Sequence, residues 1–387
     1  MASVSREVPH KYKLAPRRAR DFTKGTQTAV VEYVCGLVHG FRSWNPGVAL
    51  EMNDMKVCVV GAGAIGGFMA VRLDQAGHTV SVVARGPHLA AIKDRGLKLI
   101  QDGQTSTANN LFATDRMVEC GPQDVVLLAL KAHQIEPIVH EIETLFHADT
   151  AMVTLQNGIP WWYFQRLNGV EPRIVRTVDP LGTLMKAVDP HRIVGCIAYP
   201  AAEIAEPGVI RHIEGIRFPV GELDVPTSER AERISEMFVG AGFKSPVLED
   251  IRSEIWLKLW GNLSFNPISA LTHATLEDIC QYPLTRDLAA AMMTEAQTIG
   301  ERLGAHFRVS LEKRINGAEK VGKHKTSMLQ DLEAGRPLEI DGMLGAVLEL
   351  GEFTETPTPT LNVVHACVSL LQKTIATDNV RIAAAAV

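Results

Sequence analysis

Three features of the sequence predict an α/β protein: an N-terminal Rossmann-type dinucleotide-binding domain followed by an all-α C-terminal domain. The first is residues 55–67, MKVCVVGAGAIGG, an apolar, β-branched run that ends abruptly in glycines. The second is the alternation of strand and helix patterns from there to about residue 246. The third is the loss of the strand signal from Ile251 onward, where helical patterns take over. The expected organisation is an extension at 1–54, a Rossmann domain at 55–246 and a helical domain at 247–380.

The glycine run carries most of the first prediction. Residues 56–60 read as a buried strand that runs into Gly61-Ala62-Gly63-Ala64-Ile65-Gly66, and a helix is expected over about 66–76. In this strand–turn–helix context Gly61 permits the tight turn, Gly63 lets a pyrophosphate approach the backbone, and Gly66 lets the helix pack closely on the sheet. The amides around Ala64 and Ile65 then face the phosphates, where the helix dipole favours negative charge.

The next strand, 79–84, ends at Arg85-Gly86. A carboxylate at this strand end would bind the ribose 2′-hydroxyl of NAD. Arg85 instead suits a 2′-phosphate, so NADP(H) is preferred over NAD(H), with a solvated surface arginine as the alternative. Residues 87–95 look helical and 97–109 look like a short hairpin. The almost wholly apolar run 124–130 reads as a central parallel strand. It delivers Lys131 to the sheet edge that faces a ligand, as a candidate contact to the cofactor phosphate or ribose. Strand 151–155 delivers Asn157 to the same edge. Its amide could hold the nicotinamide or the substrate, although Asn-Gly is also an ordinary turn dipeptide. Residues 170–223 suggest further strands at 193–199, 209–213 and 217–220, extending the sheet with antiparallel members, and 228–242 reads as an amphipathic helix.

Helices are expected over 251–270, 284–303, 325–332, 338–350 and 360–375, the Pro357-Thr358-Pro359 run separating the last two. Lys258, Asn262 and Asn266 are four apart and share one helix face, either a polar line facing a cleft or a solvated stripe. Ser327 and Glu339 stand where helix-start signals would place a serine N-cap and a first-turn acid, so they require no function on spacing alone.

Composition narrows the rest. With 46% hydrophobic and 21% charged residues the 387-residue chain has ordinary globular composition, and a formal net charge of -5 gives no reason to expect a nucleic-acid partner. No apolar run approaches the ~20 residues of a membrane span, so no membrane partner and a cytoplasmic protein are expected. The six cysteines include no CxxC pair and read as core thiols, Cys58 in the first strand and Cys367 in a helix among them. No His/Asp/Glu cluster suggests a metal. Residues 1–54 differ from the remainder, with Arg17, Arg18 and Arg20 clustered near Lys11, Lys13 and Lys24. A translated upstream extension, with Met52 or Met55 as the working start, is preferred to a transit peptide or a genuine arm, and loose packing is expected there.

GAGAIGG at 61–67, the 131–134 segment, Gln156-Asn157-Gly158, the Lys258/Asn262/Asn266 helix, and SMLQD at 327–331 followed by Glu339-Ile340-Asp341 together resemble the ketopantoate reductases (2-dehydropantoate 2-reductases). The resemblance spans about 55–376. It implies NADPH as hydride donor to a small 2-keto acid in a cleft between the two domains, a step towards pantothenate and coenzyme A. It also implies roles residue by residue. Lys258 matches the lysine that protonates the ketone oxygen. Asn262, with Asn266 one turn on, lies beside the substrate. Ser327 contacts the substrate carboxylate and Glu339 its hydroxyl groups. Arg85 and Lys131 touch the cofactor phosphate, and Asn157 lies near the nicotinamide. The sequence departs from the pattern at Leu344, at His324, and in the bulky run 159–164 expected at the substrate's entrance. These departures bear on the keto acid, leaving a reductase of another 2-keto acid as one alternative and a non-catalytic NADPH-binding protein as another. Oligomeric state is left open, a homodimer being among the assemblies allowed.

Overall fold

The computed structural model describes residues 54–108 and 110–378. The expectations for the N-terminal extension, and for Cys35 within it, lie outside the described residues.

The apolar run before the glycines forms β1 (Lys56–Val60), buried from its second residue on. Helix α1 (Ala64–Gln75) follows directly, then β2 (Thr79–Val83) and α2 (Gly86–Arg95). The hairpin is present as antiparallel β3 (Leu97–Gln101) and β4 (Gln104–Ala108). A short strand not expected from the sequence, β5 (Phe112–Thr114), precedes β6 (Gln123–Leu128). After the short helix α3 (Val139–Ile142) comes β7 (Phe146–Thr154), which begins five residues before the predicted start, because the His147-Ala148-Asp149 stretch breaks the apolar run that marks a central strand. Helix α4 (Thr183–Ala187) leads to β8 (Ile193–Cys196), β9 (Ala201–Glu206), β10 (Val209–Glu214), β11 (Val220–Gly221) and α5 (Glu229–Gly240), which Ser228 caps.

The main sheet has seven strands in the order β11-β8-β7-β6-β1-β2-β5. All its pairings are parallel except the edge pair β11–β8. The chain leaves β1 towards β2 and β5 and returns on the other side at β6. The crevice outside the carboxyl ends of β1 and β6 is therefore the ligand position of this topology. Strands β9 and β10 correct the expectation that residues 193–220 only extend this sheet. They form a second sheet, β4-β3-β10-β9, in which Leu99 pairs with Ile210 across more than a hundred residues. This sheet covers the outer side of α1. Gly67 allows the contact, because a side chain there would meet Ile210 at 2.8 Å. Phe68 of α1 meets Phe243 edge-on, and Phe243 in turn meets Phe218 and Phe238, the latter on α5.

From Asp250, which caps its first turn, the chain is helical: α6 (Ile251–Thr272), α7 (Leu276–Gln281), α8 (Pro283–Arg302), α9 (Leu311–Lys320), α10 (Ser327–Glu333), α11 (Ala346–Phe353) and α12 (Pro359–Asp378). The short α7 and the largely polar α9 were not expected. Local caps start them, a Thr275/Asp278 capping box and a Ser310 cap. The helix predicted over 338–350 begins later, and residues Asp341–Gly345 form a π-helical turn ahead of α11. Cys58, Cys196 and Cys280 are buried, but Cys367 is exposed. The Leu361/Val364/Val368 stripe of α12, continued by the half-buried Leu371 and Ile375, faces the core, which turns Cys367 outward. Among the described residues no helix is long and apolar enough to cross a membrane.

Candidate active site

The glycine turn is built for an anion. The amides of Gly61 and Ala62 both donate to the Val83 carbonyl at the end of β2, at 3.0 and 3.3 Å. The first helical bond of α1 runs from Gly67 N–H to the Gly63 carbonyl, at 2.7 Å. The amides of Gly63, Ala64, Ile65 and Gly66 thus have no acceptor in the helix. A Cβ at Gly63 would meet nothing within 4 Å, so the approach to these amides is open; at Gly66 it would lie 2.1 Å from the Gly61 carbonyl oxygen. This cradle fits a dinucleotide pyrophosphate. Arg85, exposed at the N-cap of α2, stands at the neighbouring strand end.

Lys131 follows β6, as expected. Its ammonium donates to Asp331 Oδ2 at 2.6 Å and to the Pro337 carbonyl at 3.1 Å, and Arg336 binds the other Asp331 oxygen at 2.7 Å. The side chain therefore ties the sheet edge to α10. The sequence reading, which gave Lys131 a contact to the cofactor phosphate or ribose, missed this link although Asp331 lies in the SMLQD motif.

The second constellation joins Asn157 after β7, Lys258 on α6 and Glu339 ahead of the π-helical turn. Lys258 Nζ donates to Asn157 Oδ1 at 2.6 Å and to the Ala198 carbonyl. Asn157 Nδ2 donates to Glu339 Oε2 at 3.2 Å. The amide orientation follows from its partners, since an ammonium can only donate and a carboxylate can only accept. Burial pulls the Lys258 ammonium down from its ordinary 10.5 to about 8, and the Glu339 carboxylate opposes part of that fall. The Lys258 face is therefore not a solvated stripe.

Further along that face, Asn266 is buried, and its Nδ2 lies 3.4 Å from Ser327 Oγ and 3.8 Å from Met343 Sδ. Asn262 is half-buried, and its side chain makes no hydrogen bond among the described residues. Ser327 is not the N-cap that its position suggested. Thr326 Oγ1 accepts from Leu329 N–H and caps α10, which leaves the Ser327 hydroxyl available. Glu339 likewise lies outside the helix proper, on the segment leading into the π-helical turn.

The bulky run after Asn157 is a correction. Trp161, Trp162, Tyr163 and Phe164 are each at most 2% exposed, so they form the core beneath the site and do not line its entrance. Trp162 donates to Thr154 Oγ1 at 3.0 Å, and Trp256 of α6 donates to the Tyr163 hydroxyl at 2.8 Å. Sequence reasoning also passed over Glu254, one turn before Lys258. This buried carboxylate binds Arg217 at 2.6 Å, Arg308 at 2.5 Å and the Tyr199 hydroxyl at 2.7 Å. It anchors Tyr199 next to Ala198, whose carbonyl holds Lys258. The i,i+4 spacing to Lys258 was its one visible signal.

Comparison with known proteins agrees with this arrangement. Residues 57–224 match the family model described as "Ketopantoate reductase PanE/ApbA", and 250–372 match its C-terminal counterpart. A 2-dehydropantoate 2-reductase of Mesorhizobium japonicum is 52% identical over 82% of this chain and 98% of its own length. A 2-dehydropantoate 2-reductase of Archaeoglobus fulgidus is 28% identical over 78% and 92%. A crystal structure from Ralstonia solanacearum, described under the ketopantoate reductase name, superposes with a TM-score of 0.80 at 37% identity, covering 84% of this chain and 99% of that one. The chain therefore belongs to the ketopantoate reductase (2-dehydropantoate 2-reductase) family, nicotinamide-dinucleotide-dependent oxidoreductases that act on a CH–OH group.

Proposed function

We propose that this protein reduces 2-dehydropantoate to pantoate with NADPH, a step towards pantothenate and coenzyme A, and that Lys258 is the general acid. The observation that carries the reading is the Lys258 ammonium, held by Asn157 and Ala198 beside the Glu339 carboxylate at the sheet edge. A nicotinamide dinucleotide held by the glycine cradle would supply a hydride to the ketone carbon. Lys258 stabilises the charge that develops on the ketone oxygen and gives that oxygen a proton, so the ketone becomes a hydroxyl. Asn157 keeps the ammonium aimed. Glu339 holds the substrate hydroxyl, Ser327 its carboxylate, and the Asn262 and Asn266 amides complete the wall. Gly61, Gly63, Ala64, Ile65 and Gly66 form the pyrophosphate cradle, Arg85 receives the 2′-phosphate, and Lys131 reaches the cofactor phosphate or ribose by giving up its Asp331 partner.

The test follows cofactor oxidation with ketopantoate and a panel of 2-keto acids, using NADPH and NADH side by side. Ketopantoate with NADPH is expected to give the highest kcat/KM. Faster turnover of another keto acid, or none of ketopantoate, overturns the substrate assignment. Arg85→Gln is expected to raise the KM for NADPH about tenfold, the worth of one charge-assisted contact, and to leave the KM for NADH unchanged. An equal change for both cofactors removes Arg85 from 2′-phosphate recognition.

The acid role also fixes a pH dependence. Only the ammonium form donates, so kcat/KM for reduction is expected to be level below about 8 and to fall tenfold per pH unit above it. Glu339→Gln removes the charge that holds the Lys258 pKa up, so the descending limb moves to lower pH. A limb that stays in place separates Glu339 from Lys258.

A further inference from the structure

We infer that His88 is a positioning residue of the phosphate cradle, aiming the Gly63 amide at the cofactor pyrophosphate. His88 lies half-buried in the first turn of α2, outside the glycine motif. Its Nδ1 is 3.0 Å from the Gly208 amide, and its Nε2 is 2.7 Å from the Ala62 carbonyl oxygen. An amide can only donate and a carbonyl can only accept. Nδ1 is therefore the bare nitrogen and Nε2 carries the proton, which fixes one neutral tautomer.

The consequence passes through a single peptide unit. The Ala62 carbonyl and the Gly63 N–H belong to the same planar trans peptide, so they point in opposite directions. Holding the carbonyl on His88 sets the direction of the Gly63 amide. The Ala62 amide is already held by the Val83 carbonyl at 3.3 Å. Without His88, the peptide between Ala62 and Gly63 would be held only through its neighbours, by the Ala62 amide on Val83 and the Gly63 carbonyl on Gly67, with a glycine at its carboxyl end.

His88 is itself supported from the second sheet. Gly208, in the β9–β10 turn, adopts a φ of +82°, and a Cβ there would meet Ala91 of α2 at 3.0 Å. The Gly208 carbonyl accepts from Lys98 N–H at 2.9 Å. The β9–β10 turn thus reaches the phosphate cradle through one imidazole. Burial lowers the His88 pKa, in keeping with a neutral ring.

The inference rests on the glycine turn holding a nicotinamide dinucleotide and is independent of the keto acid. Cofactor binding without substrate separates the two, measured by quenching of intrinsic fluorescence. The pyrophosphate is common to NADPH and NADH. His88→Leu, which can neither donate nor accept, is therefore expected to raise Kd for both by the same factor, about tenfold. His88→Gln can donate to Ala62 and accept from Gly208, and it should restore both Kd values to within about threefold. Turnover at saturating NADPH should be unchanged in both variants. Should the leucine variant not fold, His88→Ser, too short to reach either group, takes its place. Unchanged Kd values in the leucine or serine variant, a loss confined to NADPH, or equal weakening in the glutamine variant each overturn the inference.

Discussion

Lys258→Ala is expected to lower kcat for keto-acid reduction by roughly 10²–10⁴-fold, the range for loss of a positioned general acid. The effect is large because the site offers no substitute donor. The ammonium's hydrogen-bond partners are an amide oxygen and a backbone carbonyl, its neighbour Glu339 is a carboxylate, and burial pushes the pKa of the nearby Cys196 thiol up, so that it is a poor proton donor. Removing Lys258 also leaves the Glu339 charge without its nearest cation, which disfavours developing negative charge on the ketone oxygen. NADPH affinity should be unchanged, since the phosphate cradle lies on β1 and α1. Lys258→Arg should not restore turnover, because a guanidinium keeps its proton throughout the working range. A Lys258→Ala enzyme within threefold of the parent kcat would remove the lysine from the chemistry.

Gly158→Ala is expected to have the second-largest effect, through geometry. Gly158 has a φ of +85°, and a Cβ would stand 2.0 Å from the Gly342 oxygen and 2.4 Å from its carbonyl carbon. The φ strain alone costs ~1–2 kcal/mol in an L-residue. The clash involves two backbones and no side chain can rotate away, so the π-helical turn must move off the Asn157 turn. That breaks the Ile159 N–H bond to the Gly342 carbonyl, at 2.8 Å, and shifts Asn157 against Glu339 and Lys258. A total loss of about 3 kcal/mol in stability is expected by urea unfolding, with kcat reduced about 10²-fold by the misplacement. Gly169→Ala is the control. Gly169 has a comparable φ of +77°, but a Cβ there meets nothing within 4 Å, so it should lose only the φ cost and keep its activity. Equal behaviour of the two variants would mean that the Gly158–Gly342 contact does not set the site.

Much of the fold is local and so was readable in the chain. The strand–glycine–helix unit, the hairpin 97–108, the central strand β6 and the long helix carrying Lys258 each follow from periodicity and turn chemistry within a few residues of themselves. What escaped was decided at long range. The second sheet depends on β3 meeting β10, and each of those strands alone is an ordinary short polar-flanked run. The aromatic residues 161–164 looked like an entrance because they follow an active-site turn. They are buried because distant elements pack on them, Trp256 of α6 on Tyr163 and Phe353 of α11 on Phe164 among them.

The sequence by itself determined which groups this protein brings to its chemistry: a glycine cradle, an arginine at the second strand end, one lysine with asparagines at helical spacing, and a serine and a glutamate downstream. The tertiary structure alone decided what each group faces. It placed Asn157 between Lys258 and Glu339, paired Lys131 with Asp331, freed Ser327 by giving the cap to Thr326, and set His88 behind the glycine turn. The physical reason is reach. Periodicity and caps act over one helical turn or one strand pair, whereas a lysine's pKa and a peptide's orientation are set by atoms that are neighbours only after the chain has folded.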